Sequence, residues 1–343
     1  MATLADVARR AGVSPATASR IINGSPKPVT EALRARVLAA VEELQYVPNA
    51  HAQQLARNHR SAVGVIVHDV SDPYFSEITR GLQRVATEHG RLVIICNTYR
   101  DPEKELEYVE LLRANQAAAI ILAGSGYHDE EFTRTLDAKL RVYQATGGHV
   151  AVIGRHEHSG HAVIPANEAG GQLIGAELFR LGHTRIGVVA GPRHLTTTSD
   201  RLNGLRRAAR QHGRKLSARQ IVYADFDRSG GASATATLLD TQPDVTAIVA
   251  LNDSMAIGAL AVLRERGIDV PGRISVTGFD DMPIARDVTP ALTTVRLPLA
   301  DMGARAMTLA LQPPEPLNTP HIEHVDAELI RRESTAPPPP DPR

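Results

Sequence analysis

Residues 3–22 read TLADVARRAGVSPATASRII, and this run sets the character of the N-terminal part of the chain. Leu4, Val7, Ala8 and Ala11 are spaced three and four apart behind Thr3, which predicts a short amphipathic helix capped by that threonine. Gly12 supplies a turn. Ser14 suits an N-cap and Pro15 the first helical position, so a second helix is expected through Ile22, ending near Asn23-Gly24. Two short helices across a glycine turn form a helix-turn-helix pattern. A third helix is expected from near Thr30, with Leu33, Val37, Val41 and Leu44 on one face, ending before Tyr46-Val47-Pro48. Three helices of this length can bury one small core.

In such an arrangement the second helix enters the major groove of DNA. Small residues near its start, Pro15, Ala16 and Thr17, let the backbone approach, while Arg20 can reach guanine or phosphate. Helix–glycine–helix hairpins also occur in proteins that never touch DNA, so the pattern alone leaves both readings open. The next segment adds weight. Asn49 to Arg57 follows Pro48 with Asn49 as a cap and too little apolar surface to hold a helix by itself. Leu55, flanked by amides and Arg57, fits a wedge for the minor groove, where an aliphatic side chain unstacks a base step. The alternative is a linker helix whose leucine packs on its own domain.

Charge follows the same division. The 343 residues suffice for two or three domains and carry 38 Lys and Arg against 38 Asp and Glu, which excludes a globally basic nucleic-acid coat. Within residues 1–60, however, Arg9, Arg10, Arg20, Lys27, Arg34, Arg36, Arg57 and Arg60 face only Asp6, Glu31, Glu42 and Glu43. A basic head on a slightly acidic body is the asymmetry expected when one domain meets a polyanion. Cys96 is the single cysteine, which excludes an internal disulfide and a cysteine-based zinc finger and fits a reducing cytoplasm. The first ten residues lack the apolar run of a secretory signal. The most apolar stretch, Ala117 to Ala123, falls far short of the roughly 20 residues a spanning helix needs. No membrane association is expected, and a disordered proline-rich tail is expected over 334–343.

From Ser61 onward, apolar runs alternate with helical patterns: Val63 to Val67, Leu92 to Ile95, Ala118 to Leu122, Val150 to Ile153, Ile186 to Ala190, Ile221 to Tyr223, Ala247 to Ala250 and Ile274 to Thr277. This is the signature of a parallel α/β body, and a division near Arg155 to Pro165 suggests two doubly wound lobes. A ligand between such lobes touches the carboxyl ends of strands. Asp72 to Phe75, Gly154-Arg155-His156, Asn252-Asp253 and Phe279-Asp280-Asp281 all follow strands, and Arg, Asn and Asp beside an aromatic face suit a hydroxylated ring or a base. Asp72 and Asn252 serve equally well as helix caps. The hydroxyl-rich run Thr196 to Ser199 with Asp200 is read as a cap.

His156, Glu157, His158 and His161 invite a metal reading, but the segment reads as a flexible surface connection, so no metal is expected. Gly124-Ser125-Gly126 lacks the rest of a dinucleotide fingerprint. No Gly-x-Ser-x-Gly elbow, phosphate-binding loop or His-Glu-x-x-His helix occurs, so the chain is expected to be no enzyme and to need no cofactor.

Leu4-Ala5-Asp6-Val7-Ala8, Gly12-Val13-Ser14, Thr17-Ala18-Ser19-Arg20 and Tyr46-Val47-Pro48-Asn49 resemble the head of lactose/galactose-repressor (LacI/GalR) type bacterial transcription regulators. The resemblance continues through Asp72-Pro73-Tyr74-Phe75, Gly191-Pro192, Arg201-Leu202-Asn203-Gly204, Asn252-Asp253, Gly278-Phe279-Asp280-Asp281, Pro290 to Thr294 and Leu329 to Arg332. Ala18, where many members have valine, trims the packing face of the second helix, and Ala117-Ala118-Ala119 replaces the usual valine-aspartate-glycine.

What the resemblance implies is an all-α helix-turn-helix head at 1–48, a hinge helix at 49–60 and a periplasmic-binding-protein-like two-lobed core at 61–333. Lobe 1 is expected at about 61–160 plus 291–318, and lobe 2 at about 161–290 plus 319–333. The expected DNA contacts are Thr3, Ser14, Pro15, Ala16, Thr17, Ser19, Arg20 and Asn23 in the head, with Asn49, Gln53, Leu55 and Arg57 in the hinge. Asp72, Tyr74, Phe75, Arg155, Arg201, Asn252 and Asp280 are the expected effector contacts, Arg201 matching a family ligand arginine. The implied partners are double-stranded operator DNA, a sugar or nucleoside-like effector, and a second copy of the chain in a dimer or tetramer. The expected function is a cytoplasmic, ligand-responsive repressor on a palindromic operator. The alternatives are a sugar-uptake binding protein, or an α/β small-molecule-binding protein or enzyme without a regulatory role.

Overall fold

A computed structural model of the chain describes residues 2–22, 29–46, 62–156, 160–312 and 320–340. The chain divides into two compact units, Met1–Ser61 and Ala62–Arg343. In the first, α1 (Leu4–Ala11) opens on a capping box: the Asp6 amide donates to Thr3 Oγ1 at 3.3 Å and the Thr3 amide donates back to the Asp6 carboxylate at 3.0 Å. Gly12 ends the helix at φ 62°, a left-handed conformation that favours glycine. Pro15 then starts α2 (Pro15–Ile22), with Ser14 Oγ accepting from the Thr17 amide at 3.1 Å, and α3 runs Glu31–Glu43. Val7, Ala8, Ala11, Ala18, Ile21, Val37 and Ala40 are buried together, and Leu33, Val41 and Leu44 pack partly against them. The expected hinge at 49–60 lies outside the described residues.

The second unit contains two parallel sheets. Its strands and helices are β1 (Ala62–Val67), α4 (Pro73–Glu88), β2 (Leu92–Asn97), α5 (Pro102–Ala114), β3 (Ala119–Ala123), α6 (Glu130–Ala145), β4 (His149–Ile153) and β5 (His161–Pro165), followed by α7 (Asn167–Arg180), β6 (Ile186–Ala190), α8 (Thr196–Gln211) and β7 (Ile221–Tyr223). Next come α9 (Arg228–Thr241), β8 (Ala247–Ala250), α10 (Asp253–Glu265), β9 (Ser275–Thr277), β10 (Thr294–Arg296), α11 (Leu299–Leu311), β11 (Ile322–Val325) and β12 (Glu328–Ile330). One sheet has the order β11-β5-β4-β3-β1-β2 and the other β7-β6-β8-β9, while β10 and β12 form an antiparallel ribbon. Helices cover both faces, so alternate residues of a strand serve different cores: Ala119, Ile121 and Ala123 join one cluster, Ile120 and Leu122 the other.

All eight strands expected from the apolar runs are present, and strand pairing corrects the lobe boundary. His161–Pro165 was expected to open lobe 2, yet β5 pairs with β4 and β11 inside the first sheet, and Ile322–Val325, also expected in lobe 2, completes that sheet's edge. Five residues ending in proline resemble a connection until neighbours on both sides are known.

The tail needs a second correction. Ser334 is buried, accepting from the Thr293 amide at 2.8 Å and donating to the Val276 carbonyl at 2.6 Å. The Ala336 amide donates to Ser275 Oγ at 3.0 Å. Composition suggested disorder from residue 334, but composition does not see partners 40 to 60 positions away. Residues 341–343 lie outside the described part. Among the described residues no helix is long and apolar enough to cross a membrane.

Candidate functional site

Between the two sheets lies a cleft of about 730 Å³, open mouth included, walled by carboxyl-terminal ends of strands. Its deepest polar group is Arg201 on α8, only 2% exposed. Gly171 on α7 and Gly204 on α8 let these helices cross closely, since a Cβ at Gly171 would lie 2.1 Å from the Arg201 carbonyl. That approach brings Asn167 to the arginine, whose Nε donates to Asn167 Oδ1 at 2.9 Å. Nη1 donates to the Leu251 carbonyl and Nη2 to Asp280 Oδ1 at 2.8 Å, while the guanidinium plane sits 3.7 Å above the Phe279 ring. Asp280 is 3% exposed, and burial, only partly offset by Arg201, pushes its carboxyl up to about 7. Its Oδ2 takes no hydrogen bond from a described residue.

Asp72, Tyr74 and Phe75 line the cleft from the first lobe, at the start of α4. Asp72 also fills the cap role, Oδ1 accepting from the Tyr74 amide at 2.9 Å, and burial raises its carboxyl above the usual range. Tyr74 stands edge-on to Phe75, centroids 5.0 Å apart, and burial raises its hydroxyl. Asn252 lines the cleft with both amide atoms engaged: Oδ1 caps α10 by accepting from the Met255 amide at 2.8 Å, and Nδ2 donates to the Phe226 carbonyl at 3.2 Å. It thereby fixes the turn that carries Phe226.

Arg155 departs from expectation. It does not line the cleft but forms a two-bond fork with Asp200 of α8, Nη2 to Oδ1 at 2.7 Å and Nε to Oδ2 at 3.1 Å. The hydroxyl run expected to cap α8 does not cap it and has another role. Leu195 is the N-cap and makes no side-chain bond, while Thr197 accepts from Ser125 at 2.7 Å, Ser199 meets His128 Nε2 at 2.9 Å and Thr196 donates to the Arg155 carbonyl at 3.1 Å. These contacts stitch one rim of the cleft from lobe to lobe. His156 lies in the cleft wall, its Nε2 3.0 Å from the Gly124 carbonyl, and His161 Nδ1 accepts from the His321 amide.

Several cleft residues were not anticipated: His68, Arg100, Glu105, Tyr127 and Phe226. Arg100 and Phe226 sit just beyond β2 and β7, so the position-after-strand rule would have found them had it been applied to every strand. Glu105 has no such signal, and burial pushes its carboxyl up to about 7.

In the first unit, Ser14, Pro15, Ala16 and Arg20 are exposed, and Thr17 and Ser19 are half-buried beside the inward-facing Ala18 and Ile21. The α2 surface is thus free of apolar bulk where a groove would be entered. Thr3 is exposed with its hydroxyl held by Asp6 at 2.6 Å, and Arg9 pairs with Asp6 at 3.2 Å. Asn23, Asn49, Gln53, Leu55 and Arg57 lie outside the described residues.

Residues 3–49 match the family model described as bacterial regulatory proteins, lacI family, and residues 176–335 match the periplasmic binding protein-like domain. The chain is 38% identical to the HTH-type transcriptional regulator GalR of Escherichia coli (strain K12), over 98% of this chain and 97% of the relative. Identity is 33% with the HTH-type transcriptional repressor PurR of Proteus mirabilis (strain HI4320), over 91% and 90%. Among solved structures it resembles the lac repressor dimer bound to operator and the anti-inducer ONPF, with TM-score 0.83, 26% identity and coverage of 98% and 99%. The transcriptional regulator CelR–cellobiose complex gives TM-score 0.70 at 29% identity, covering 97% and 100%.

Proposed function

The chain belongs to the lacI family of bacterial regulatory proteins, and from that premise we propose that it is a transcriptional repressor whose hold on operator DNA is set by a sugar in the cleft. The observation that carries this reading is one chain holding both a helix-turn-helix with an exposed α2 and a two-lobed cleft floored by Arg201 and Asp280. A fixed guanidinium and a carboxylate supply donor and acceptor for a diol without metal or catalytic group, which supports a binding role over an enzymatic one.

One short helix reads too few bases for gene-level specificity, so two heads act together on a two-fold symmetric site. The exposed Leu92 and Ile94, on one face of the edge strand β2, give a second copy an apolar surface to pair with. Work on operator DNA places the protein in the cytoplasm. A ligand that prefers one arrangement of the lobes shifts the population of DNA-competent dimers.

Footprinting of the full chain on genomic fragments, with and without a sugar panel, tests this reading. A two-fold symmetric footprint that one sugar strengthens or weakens is expected. An asymmetric footprint, or one indifferent to every ligand that binds the protein, overturns it.

A further inference from the structure

The second lobe holds a cavity of its own, apart from the cleft. Helices α7 and α8 touch closely where Gly175 faces Ala208, since a Cβ at Gly175 would lie 2.6 Å from the Ala208 side chain. Toward the C-terminal ends of the two helices, the small Ala209 leaves a space of about 800 Å³, open mouth included, bounded by both helices and by β6. Its walls are apolar: Ile186 and Val188 of β6, Leu205 and Ala209 of α8, Phe179 of α7 and Leu216 from the loop after α8. The chain leaves α8 through Gly213 at φ 66°, and the loop beyond is pinned in place. The Arg214 amide donates to the Ala209 carbonyl at 2.8 Å, and Gln220 Nε2 donates to the Ile186 carbonyl at 2.8 Å. The cavity is therefore held open by the fold, at a size in the range of small-molecule pockets. Apolar walls favour an apolar occupant over water.

The mouth carries charge of one sign. Arg214 and Lys215 line it, both exposed, and neither side chain meets an acceptor among the described residues, whereas the nearby Arg207 is paired with Glu168 and Arg206 with Asn203. No Asp or Glu lines the cavity. Residues 202–224 contain Arg206, Arg207, Arg210, Arg214, Lys215 and Arg219 without a single acidic residue, on a body that is otherwise slightly acidic. We propose that this cavity is a second ligand site, independent of the cleft, for a monocarboxylate with an apolar body. The body inserts between α7, α8 and β6, and the carboxylate accepts from the guanidinium of Arg214 and the ammonium of Lys215. A phosphate dianion is disfavoured, because the mouth lies at the C-terminal end of α8, where the helix dipole is negative. A neutral apolar molecule gains nothing from the two cations.

Calorimetric titration of the full chain tests the proposal, with octanoate and 3-phenylpropionate as probes beside 1-octanol, octyl phosphate and acetate. At least one of the two apolar carboxylates should bind the wild type saturably. Acetate, which lacks the apolar body, should bind roughly 100-fold more weakly or not at all. R214Q/K215Q should lose roughly 10-fold or more in carboxylate affinity, as expected when charged hydrogen bonds are removed, and its exposed positions leave the fold intact. A209M should block the cavity from its wall. If A209M fails to fold, as judged by its melting curve, R214Q/K215Q carries the test alone. A carboxylate bound equally by the wild type and R214Q/K215Q overturns the site. Octanol or octyl phosphate bound more tightly than octanoate overturns the monocarboxylate class, and no saturable binding of either carboxylate to the wild type overturns the proposal as a whole. Sedimentation of the wild type and A209M covers another occupant: assembly beyond a dimer that A209M removes assigns the cavity to a second copy of the chain and overturns the ligand reading.

Discussion

Arg155 and Asp200 are joined from lobe to lobe at the rim of the cleft by two hydrogen bonds of 2.7 and 3.1 Å, one partner following β4 of the first lobe and the other on α8 of the second. The fork geometry holds the lobes in a fixed orientation, and its partial exposure limits its strength. Together with Ser125–Thr197 and His128–Ser199 it makes one rim of the cleft a seam between the lobes.

Asp200→Asn should loosen that seam. We expect a slightly larger radius of gyration by small-angle X-ray scattering without effector, and effector affinity lower by up to about fivefold, matching the roughly 0.2–1 kcal/mol of a partly exposed pair. Unchanged scattering and affinity would show that the neighbouring hydroxyl contacts suffice.

Arg201→Ala should abolish the effector response and also destabilise the protein. It leaves Asp280 buried without its counter-charge and Asn167 and the Leu251 carbonyl without their donor. Loss of one partner of a buried pair costs about 3–5 kcal/mol. Urea unfolding measures it, and a variant as stable as the wild type would contradict the structural role of the pair.

Glu105→Gln should change how stability depends on pH. Burial raises the folded-state carboxyl to about 7 from an ordinary value near 4.5, so between those pH values the folded chain holds a proton that the unfolded chain has released. The contribution of Glu105 to stability therefore falls as pH rises through that window. The variant should gain on the wild type between pH 5 and 8, by up to about 3 kcal/mol. A stability difference that stays flat with pH would refute the buried, unpaired state of this carboxyl.

Arg20→Ala should weaken operator binding and reduce the steepness with which affinity falls as salt increases. Arg20 is exposed on α2, free to meet phosphate or guanine. Loss of one phosphate contact lowers the slope of log affinity against log salt by about one per head, whereas loss of a guanine contact also relaxes base preference at one position. Gel shifts at several salt concentrations distinguish the two, and an unaltered affinity at all of them would remove Arg20 from the interface.

The amino-acid sequence by itself determined the three helices of the head, the capping by Thr3 and Ser14, the eight apolar strands and the placing of Asp72, Tyr74, Phe75, Asn252 and Asp280 at a cleft, whereas Arg201, inside α8, came from the family resemblance. These features are legible because apolar periodicity, caps and the position of a residue just after a strand depend on neighbours a few positions away. Only the tertiary structure decided that β5 and β11 belong to the first sheet, that Arg155 goes to Asp200, and that Thr196 to Ser199 join the lobes. It also decided that Arg100 reaches Phe226 and that Ser334 is buried beside Thr293. Each of these depends on which of several chemically suitable partners is brought within about 3 to 6 Å by chain segments distant in sequence. A guanidinium, a carboxylate or a hydroxyl is compatible with many such partners, so spacing along the chain does not select among them.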